Sequence, residues 1–210
     1  MIRYRRRFWV LAAALAALAG YIDAIAFLHL GGFFVSFMSG NSTRLGVGLS
    51  SAPEAAALAL FLIGAFVIGV VAGALVNRSG DRTGGAWVLA LVTALLSGAA
   101  LTGQTGSPLW AMGLLAVAMG AENAVFLRDG EVSIGVTYMT GALVRMGHRL
   151  AAALRGGPRF AWAPFLLLWL GLVSGAALGA LAFTHFSFAC LWFGAGAAAT
   201  LALTRLYLRD

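Results

Sequence analysis

The chain is poor in charged residues and contains no lysine. Only 10% of its 210 residues are charged, whereas 61% are hydrophobic. Because a soluble domain carries about 25% charged residues, this chain has too little polar surface to cover a water-facing exterior. The composition therefore excludes a soluble globular fold and predicts a protein whose outer surface faces lipid.

Metal-binding and catalytic motifs are also missing from the sequence. The single cysteine, Cys190, allows no internal disulfide, and the three histidines are dispersed along the chain, so no metal-ligand spacing is present. There is no nucleophile elbow, zinc-protease motif or phosphate-binding loop. The sequence therefore predicts no cofactor, no metal and no enzymatic activity.

The hydrophobic residues are concentrated in six runs, and a helix needs about 20 apolar residues to cross a bilayer. The predicted spans are Phe8–Leu28, Ala55–Val76, Ala86–Thr102, Leu109–Leu127, Phe160–Phe183 and Phe186–Leu208. Two other stretches, His29–Ser51 and Asp129–Arg155, are partly apolar, rich in glycine and too long to be simple loops. The pattern predicts an all-α polytopic membrane protein in which residues 1–210 form one membrane domain with part-apolar broken or re-entrant segments.

The arginines indicate the orientation of the chain. If the N-terminus lies inside and the chain crosses six times, thirteen of the fourteen arginines lie on the inner side and only Arg44 lies outside. Cytoplasmic segments are enriched in basic residues, so both termini are predicted to be cytoplasmic, in a bacterial inner membrane. Phe8 to Ala19 resembles a signal peptide, but the apolar run continues to Leu30 and predicts a retained helix. The predicted partner is therefore the lipid bilayer rather than nucleic acid, and nothing in the sequence predicts an oligomeric state.

A duplicated segment divides the chain into two repeats, at about residues 8–104 and 108–208. Val35–Leu49 (VSFMSGNSTRLGVGL) and Val136–Leu150 (VTYMTGALVRMGHRL) are identical at six of fifteen positions. Shorter matches flank this segment in the same order, namely Gly20 with Gly120 and Gly69 with Gly171. Because each repeat holds three spans, the second is predicted to enter the membrane from the opposite side, an arrangement typical of secondary transporters. The alternative is a duplication that only builds a helical bundle.

Polar residues inside the predicted spans are the first candidates for a site. Asp23 lies within the first span, and its repeat counterpart is Asn123, which Glu122 precedes. A carboxylate in a membrane is costly, so it usually faces the protein interior and has a partner. These residues could line a solute or ion pathway, or Asp23 could belong to a structural network with hydroxyls or arginine.

The duplicated segment supplies the second group of candidates, which are Ser39, Gly40, Asn41, Thr140 and Gly141. Glycine allows a helix to break or to approach a neighbour closely, and hydroxyls satisfy the backbone groups that a break leaves free. Broken helices expose N–H or C=O ends that bind ions. Close packing of the two repeats is the alternative interpretation.

Arg44 and Arg145 occupy the same position in the two copies, and orientation does not explain Arg44 because it lies on the outer side. A guanidinium group binds a carboxylate through two parallel hydrogen bonds. The favoured partners are therefore Asp23 for Arg44 and Glu122 for Arg145. Without such pairs, the two arginines would be available to an anionic substrate.

Three segments, Gly20–Gly46, Glu122–Phe126 and Thr137–Gly147, resemble the YoaK family of uncharacterised bacterial membrane proteins, and the resemblance runs along most of the chain. It implies a bacterial inner-membrane protein of about six helices, and it implies no substrate or activity. The family pattern commonly has glutamine before the residue that Asn123 matches. A charged role for Glu122 is therefore not implied by the resemblance.

Two functions compete at this point, and a third, a membrane enzyme, would need an acid, base or nucleophile cluster at one membrane surface, which the sequence does not show. The first is a small-solute or ion transporter or channel with a polar site at the repeat interface, lined by Asp23, Ser39, Asn41, Asn123 and Thr140. The second is a non-transporting membrane scaffold or assembly protein, for which a dry, glycine-packed interface is expected.

Overall fold

The computed structural model describes residues 6–77, 82–128, 131–132 and 135–207. Eight helices lie in these ranges: α1 (Arg6–His29), α2 (Met38–Ser51), α3 (Pro53–Val76), α4 (Arg82–Gln104), α5 (Pro108–Glu122), α6 (Met139–Leu154), α7 (Ala163–Phe186) and α8 (Leu191–Tyr207). A 3₁₀ turn, Asn123–Phe126, follows α5, and another, Ser187–Cys190, joins α7 to α8. The two-residue strands β1 (Leu127–Arg128) and β2 (Glu131–Val132) pair as an antiparallel ladder. The prediction of an all-α polytopic membrane protein is confirmed.

Five stretches of the described chain are long and apolar enough to cross a membrane: Phe8–His29, Pro53–Val76, Thr83–Gln104, Pro108–Phe126 and Ala163–Tyr207. The last has 45 residues, which a continuous helix would extend over about 68 Å, far more than a bilayer requires. It is divided into α7 and α8 at Ser187, whose backbone has φ 48°. Counted together with their adjoining 3₁₀ turns, α5 and α8 are long enough to span, as are α1, α3, α4 and α7, so the bundle contains six membrane-length stretches at the positions of the six predicted spans.

Contacts between helix ends establish that α1 and α8 run in opposite directions. The guanidinium carbon of Arg205, near the end of α8, lies 5.5 Å from the ring centroid of Phe8, near the start of α1. Further along α1, the Tyr21 hydroxyl donates a hydrogen bond of 2.8 Å to the carbonyl of Cys190, just before α8. We call the end of the bundle that holds Phe8 and Arg205 the terminal end, and the opposite end the far end.

The same end of the bundle holds the start of α4 and the end of α5. A Cβ atom added at Gly85 would lie 3.0 Å from the carbonyl oxygen of Val125 and 3.1 Å from Nε of Arg205. Helix α4 is therefore antiparallel to both α5 and α8, in agreement with the six-crossing prediction.

Glycines bring two pairs of helices into backbone contact. A Cβ atom at Gly175 of α7 would overlap the carbonyl oxygen of Ala17, and one at Gly69 of α3 would overlap that of Val117. Neighbouring glycines continue each contact in the same direction, with Gly171 against Ala13, Gly179 against Tyr21 and Gly73 against Ala121. Helices α1 and α7 are thus parallel, as are α3 and α5. Such close approach drives helix association in lipid, where apolar burial contributes little.

Helices α2 and α6 have 14 and 16 residues, too few to cross a bilayer. After α1 ends, the chain turns back into the bundle, and Val35 and Ser36 reach Asp23, six residues before the end of α1. Helix α2 then runs from the middle of the bundle towards the far end, where the single residue Ala52 joins it to α3. The second half repeats this course, because Thr137 returns to Asn123 just before α6.

Candidate functional site

Asp23 fixes residues 30–37, the returning segment that leads from the end of α1 back into the bundle. Its carboxylate accepts hydrogen bonds of 2.8 Å from each of the Val35 and Ser36 backbone N–H groups, and one of 2.5 Å from the Ser36 hydroxyl. Asp23 and Ser36 are both buried. Hydrogen bonds to an ionised group are about twice as strong as neutral ones. The Asp23 carboxylate therefore holds the start of the α2 segment inside the bundle.

Asn123 makes the corresponding contact in the second half. Its Oδ1 accepts a hydrogen bond of 2.9 Å from the Thr137 hydroxyl, and its Nδ2 donates one of 3.0 Å to the carbonyl of Met119. Both Asn123 and Thr137 are buried. The same hydroxyl-to-side-chain contact therefore occurs in both halves, with an acidic acceptor in the first and an amide in the second.

The two copies of the duplicated segment face one another across a cavity of about 290 Å³, which we call the central cavity. The first copy contributes Ser36 and Ser39, the second contributes Thr137, Thr140 and Gly141, and Phe66 of α3 also lines it. Ser36 and Thr137 are buried at its base, whereas Ser39 and Thr140 are exposed. Phe66 lies near the middle of α3, so the central cavity is halfway along the bundle.

A larger cavity of about 500 Å³ adjoins the central cavity and shares Ser36, Phe37, Thr137 and Met139 with it. Asp23, Phe34 and apolar residues of α1 and α7 form the rest of its lining. Four predicted site residues thus line one of the two cavities, namely Asp23, Ser39, Thr140 and Gly141. Asn123 is placed behind them by its contact with Thr137.

Asn41 and Gly40 hold the start of α2 rather than line either cavity. The buried Asn41 side chain donates to the Phe34 carbonyl at 2.6 Å and accepts from the Phe34 N–H at 3.1 Å. A Cβ atom at Gly40 would lie 2.7 Å from the ring of Phe37. Close packing accounts for Gly40, but not for Gly141, which has no atom within 4 Å of an added Cβ.

The predicted pair between Arg44 and Asp23 is wrong. The Arg44 guanidinium carbon lies 4.8 Å from the ring centroid of Phe33, and in the described ranges no ion pair joins it to Asp23. The Asp23 oxygens are instead occupied by backbone and hydroxyl donors of the returning segment. Sequence reasoning assigned a charged partner because it could not foresee these N–H groups.

The predicted pair between Arg145 and Glu122 is also wrong. Glu122 is fully buried, and neither of its carboxylate oxygens has a hydrogen-bond partner among the residues described. Arg145 lies instead in a different cavity, beside Trp9 and the start of α7. An unsatisfied buried polar group costs about 1–3 kcal/mol, and more if charged.

Sequence reasoning did not select Ser36 and Thr137 as site residues. Their hydroxyls bond to Asp23 of α1 and to Asn123 after α5 and so anchor the two copies of the duplicated segment. The signal was present, because each hydroxyl residue follows its acceptor, Asp23 or Asn123, by 13 or 14 residues in the duplicated pattern. It also missed Asn77, whose buried Nδ2 donates to the Ala124 carbonyl at 2.7 Å. In the part of the chain that the structure describes, no three histidine, cysteine or acidic side chains converge as metal ligands would.

Comparisons with known proteins find a matching family and a relative that is described as a transmembrane protein. The family described as "Protein of unknown function (DUF1275)" matches residues 11–204. The chain is 39% identical over 182 residues to a UPF0700 transmembrane protein of Rhizobium meliloti (strain 1021), covering 87% of this chain and 79% of the relative. No solved structure matches the chain.

Proposed function

Because the chain belongs to the DUF1275 family of proteins of unknown function, we propose a function from the central cavity: transport or conduction of a small solute or ion. The observation that carries this proposal is that both copies of the duplicated segment bring hydroxyl residues to one cavity halfway along the bundle, whose lining is otherwise largely apolar. Hydroxyls of Ser39 and Thr140 would contact the solute there. Sites of secondary transporters lie at this depth, between two repeats.

The proposal includes two inverted repeats, and paired contacts support it. Gly175 faces Ala17, and Gly69 faces Val117. Ala17 and Val117, which these two glycines contact, are 100 positions apart in the sequence. Tyr21 and Ala121, which contact the following glycines of α7 and α3, are also 100 positions apart. The contact of α7 with α1 therefore has the same pattern as the contact of α3 with α5, with the roles of the two halves exchanged. These contacts match Gly69 with Gly175 rather than with Gly171, because the link between α6 and α7 is longer than the single residue Ala52 between α2 and α3.

The starts of α2 and α6 also face the central cavity, since Met38, Ser39, Met139 and Thr140 line it. The start of a helix carries a partial positive charge and N–H groups without partners in the helix. Together with the hydroxyls, these ends favour a neutral polar or anionic solute over a cation.

We place the terminal end in the cytoplasm of a bacterial inner membrane. Arg145 and Arg149 lie beside Trp9 at that end, whereas Arg44 lies on α2, which runs towards the far end. The resemblance to the YoaK family agrees with this location and adds no substrate.

The orientation can be tested with single cysteines in a Cys190→Ser background. Ser51→Cys is at the end of α2 and Arg155→Cys follows α6, and both positions are exposed. In sealed vesicles, we expect an impermeant thiol reagent to label them from opposite sides. Labelling of both from the same side would contradict the inverted arrangement.

The transport function can be tested with Ser39→Cys and Thr140→Cys in the same background, reconstituted in liposomes. A charged, water-soluble methanethiosulfonate should label both, but not the control Ile68→Cys, which is exposed on α3 and faces lipid. Vesicle swelling in a panel of small neutral and anionic solutes should reveal permeability that labelling of Thr140→Cys blocks.

A scaffold is the second candidate, and the hydrogen bonds of Asp23 favour it because they serve the structure itself. The two candidates give opposite results. Absence of labelling at both cavity positions, together with no permeability to any solute of the panel, would contradict transport and support the scaffold.

A further inference from the structure

A separate cavity of about 620 Å³ lies at the terminal end, between α1, α6 and α7. We call it the basic cavity. Its lining includes Trp9, Arg145, His148, Arg149, Phe160 and Phe165. It shares no residue with the central cavity, and the proposed transport function does not use it.

The cationic side of the basic cavity comes from one face of α6. Arg145, His148 and Arg149 are spaced by three and four residues, so they lie on the same side of the helix. A guanidinium group is planar, and its N–H donors match the geometry of a phosphate group. Of the described residues that line this cavity, none is acidic. The cavity is therefore suited to a phosphate-bearing anion.

The other side of the basic cavity is apolar and aromatic. Trp9 packs edge-on against Phe165, with ring centroids 5.6 Å apart. Phe160 is 75% exposed at the margin, and Pro164 adds to the same wall. The ligand must therefore carry both a negative group and an apolar part.

The position of the cavity identifies the source of such a ligand. Trp9 and Pro164 belong to the first turns of α1 and α7, where the apolar spans begin at Phe8 and Ala163. Tryptophan at such a position marks the boundary between hydrocarbon and headgroups. Basic cavities between membrane helices at this level bind lipid headgroups.

We propose that the basic cavity binds the headgroup of an anionic phospholipid from the leaflet at the terminal end. Arg145 and Arg149 hold the phosphate, and the Trp9–Phe165 wall contacts the start of the acyl chains. The bound lipid contacts α1, α6 and α7 together, and so it ties α6 to the bundle. This matters because Ala142 is the only buried residue of α6.

Native mass spectrometry of the detergent-purified full chain tests the proposal. Wild type is mixed with equal amounts of phosphatidylglycerol and phosphatidylcholine, and retained lipid is counted. We expect phosphatidylglycerol to be preferred, and Arg145→Gln with Arg149→Gln to lower that preference about thirtyfold. The control Arg44→Gln removes an arginine at the far side of the bundle and should keep the preference. Equal retention of the two lipids by wild type would overturn the proposal.

Two further measurements separate the alternatives. Arg149→Lys keeps the charge and should retain most of the preference; its loss in a folded variant to the same degree as in the double glutamine variant would overturn a charge-based site. Millimolar inorganic phosphate should not displace the lipid. Full displacement by phosphate would show a site for a soluble anion and also overturn the lipid assignment.

Discussion

The hydrogen bond from Ser36 to Asp23 should be the strongest polar link between the returning segment and α1. Both partners are buried, the two oxygens are 2.5 Å apart, and the acceptor is a carboxylate. A hydrogen bond to a charged group contributes about 1.5–3 kcal/mol in soluble proteins. Pairs within membranes average about 0.6 kcal/mol and reach about 1.7 kcal/mol. We therefore expect about 1.5 kcal/mol for this pair.

The second half supplies an internal comparison. The hydroxyl of Thr137 donates to Asn123 over 2.9 Å, and this acceptor is neutral. Its coupling should lie near the membrane average of about 0.6 kcal/mol. The difference between the two halves isolates the effect of the carboxylate, because the donor hydroxyl and its place before a helix are equivalent.

Double-mutant cycles measure both couplings. The variants are Ser36→Ala, Asp23→Ala and their combination, with Thr137→Ala, Asn123→Ala and their combination as the matched set. Unfolding in mixed micelles with increasing dodecyl sulfate, followed by circular dichroism, yields the free energies. If Asp23→Ala does not fold, Asp23→Asn replaces it, since the amide oxygen still accepts from the two backbone N–H groups. A coupling under about 0.3 kcal/mol for the first pair, or a larger coupling in the second, would refute the reasoning.

Two other predictions concern packing and the unsatisfied acid. Gly175→Ala should destabilise the bundle by more than about 2 kcal/mol, because the new Cβ meets the Ala17 carbonyl oxygen. The control Gly196→Ala has open space at its Cβ and should change the unfolding free energy by no more than about 0.5 kcal/mol. Equal effects of the two variants in the same unfolding assay would contradict the close contact. Glu122→Met should raise the unfolding free energy by about 1 kcal/mol or more, because it removes a buried carboxyl group without hydrogen-bond partners in the described chain. A loss of stability would instead show that this carboxyl group has a stabilising partner.

The sequence alone determined the class of the protein and the approximate positions of its helices. Hydropathy is a local property, and about 20 consecutive apolar residues have one stable solution in lipid, a helix whose backbone groups bond to one another. The duplicated segment was equally readable, because it depends only on residue order. It identified Ser39 and Thr140, which the folded chain brings to one cavity.

Only the tertiary structure decided which groups satisfy the buried polar side chains. The burial of Asp23 follows from its place in an apolar run, but its partners depend on how far the chain turns back after α1. Sequence reasoning chose Arg44, since ionic pairs are the obvious partners of a buried acid. The fold instead presents the N–H groups of Val35 and Ser36, because a returning backbone that leaves water must give its own donors an acceptor.

The register between helices was also a matter of three-dimensional packing. Sequence similarity matched Gly69 with Gly171, whereas the backbone contacts of α3 and α7 favour Gly175. Repeated glycines look alike along the chain, and only contact with a second backbone distinguishes them. Local hydropathy thus determined where the helices lie along the chain, and contacts between distant segments determined which helices pack together and in which register.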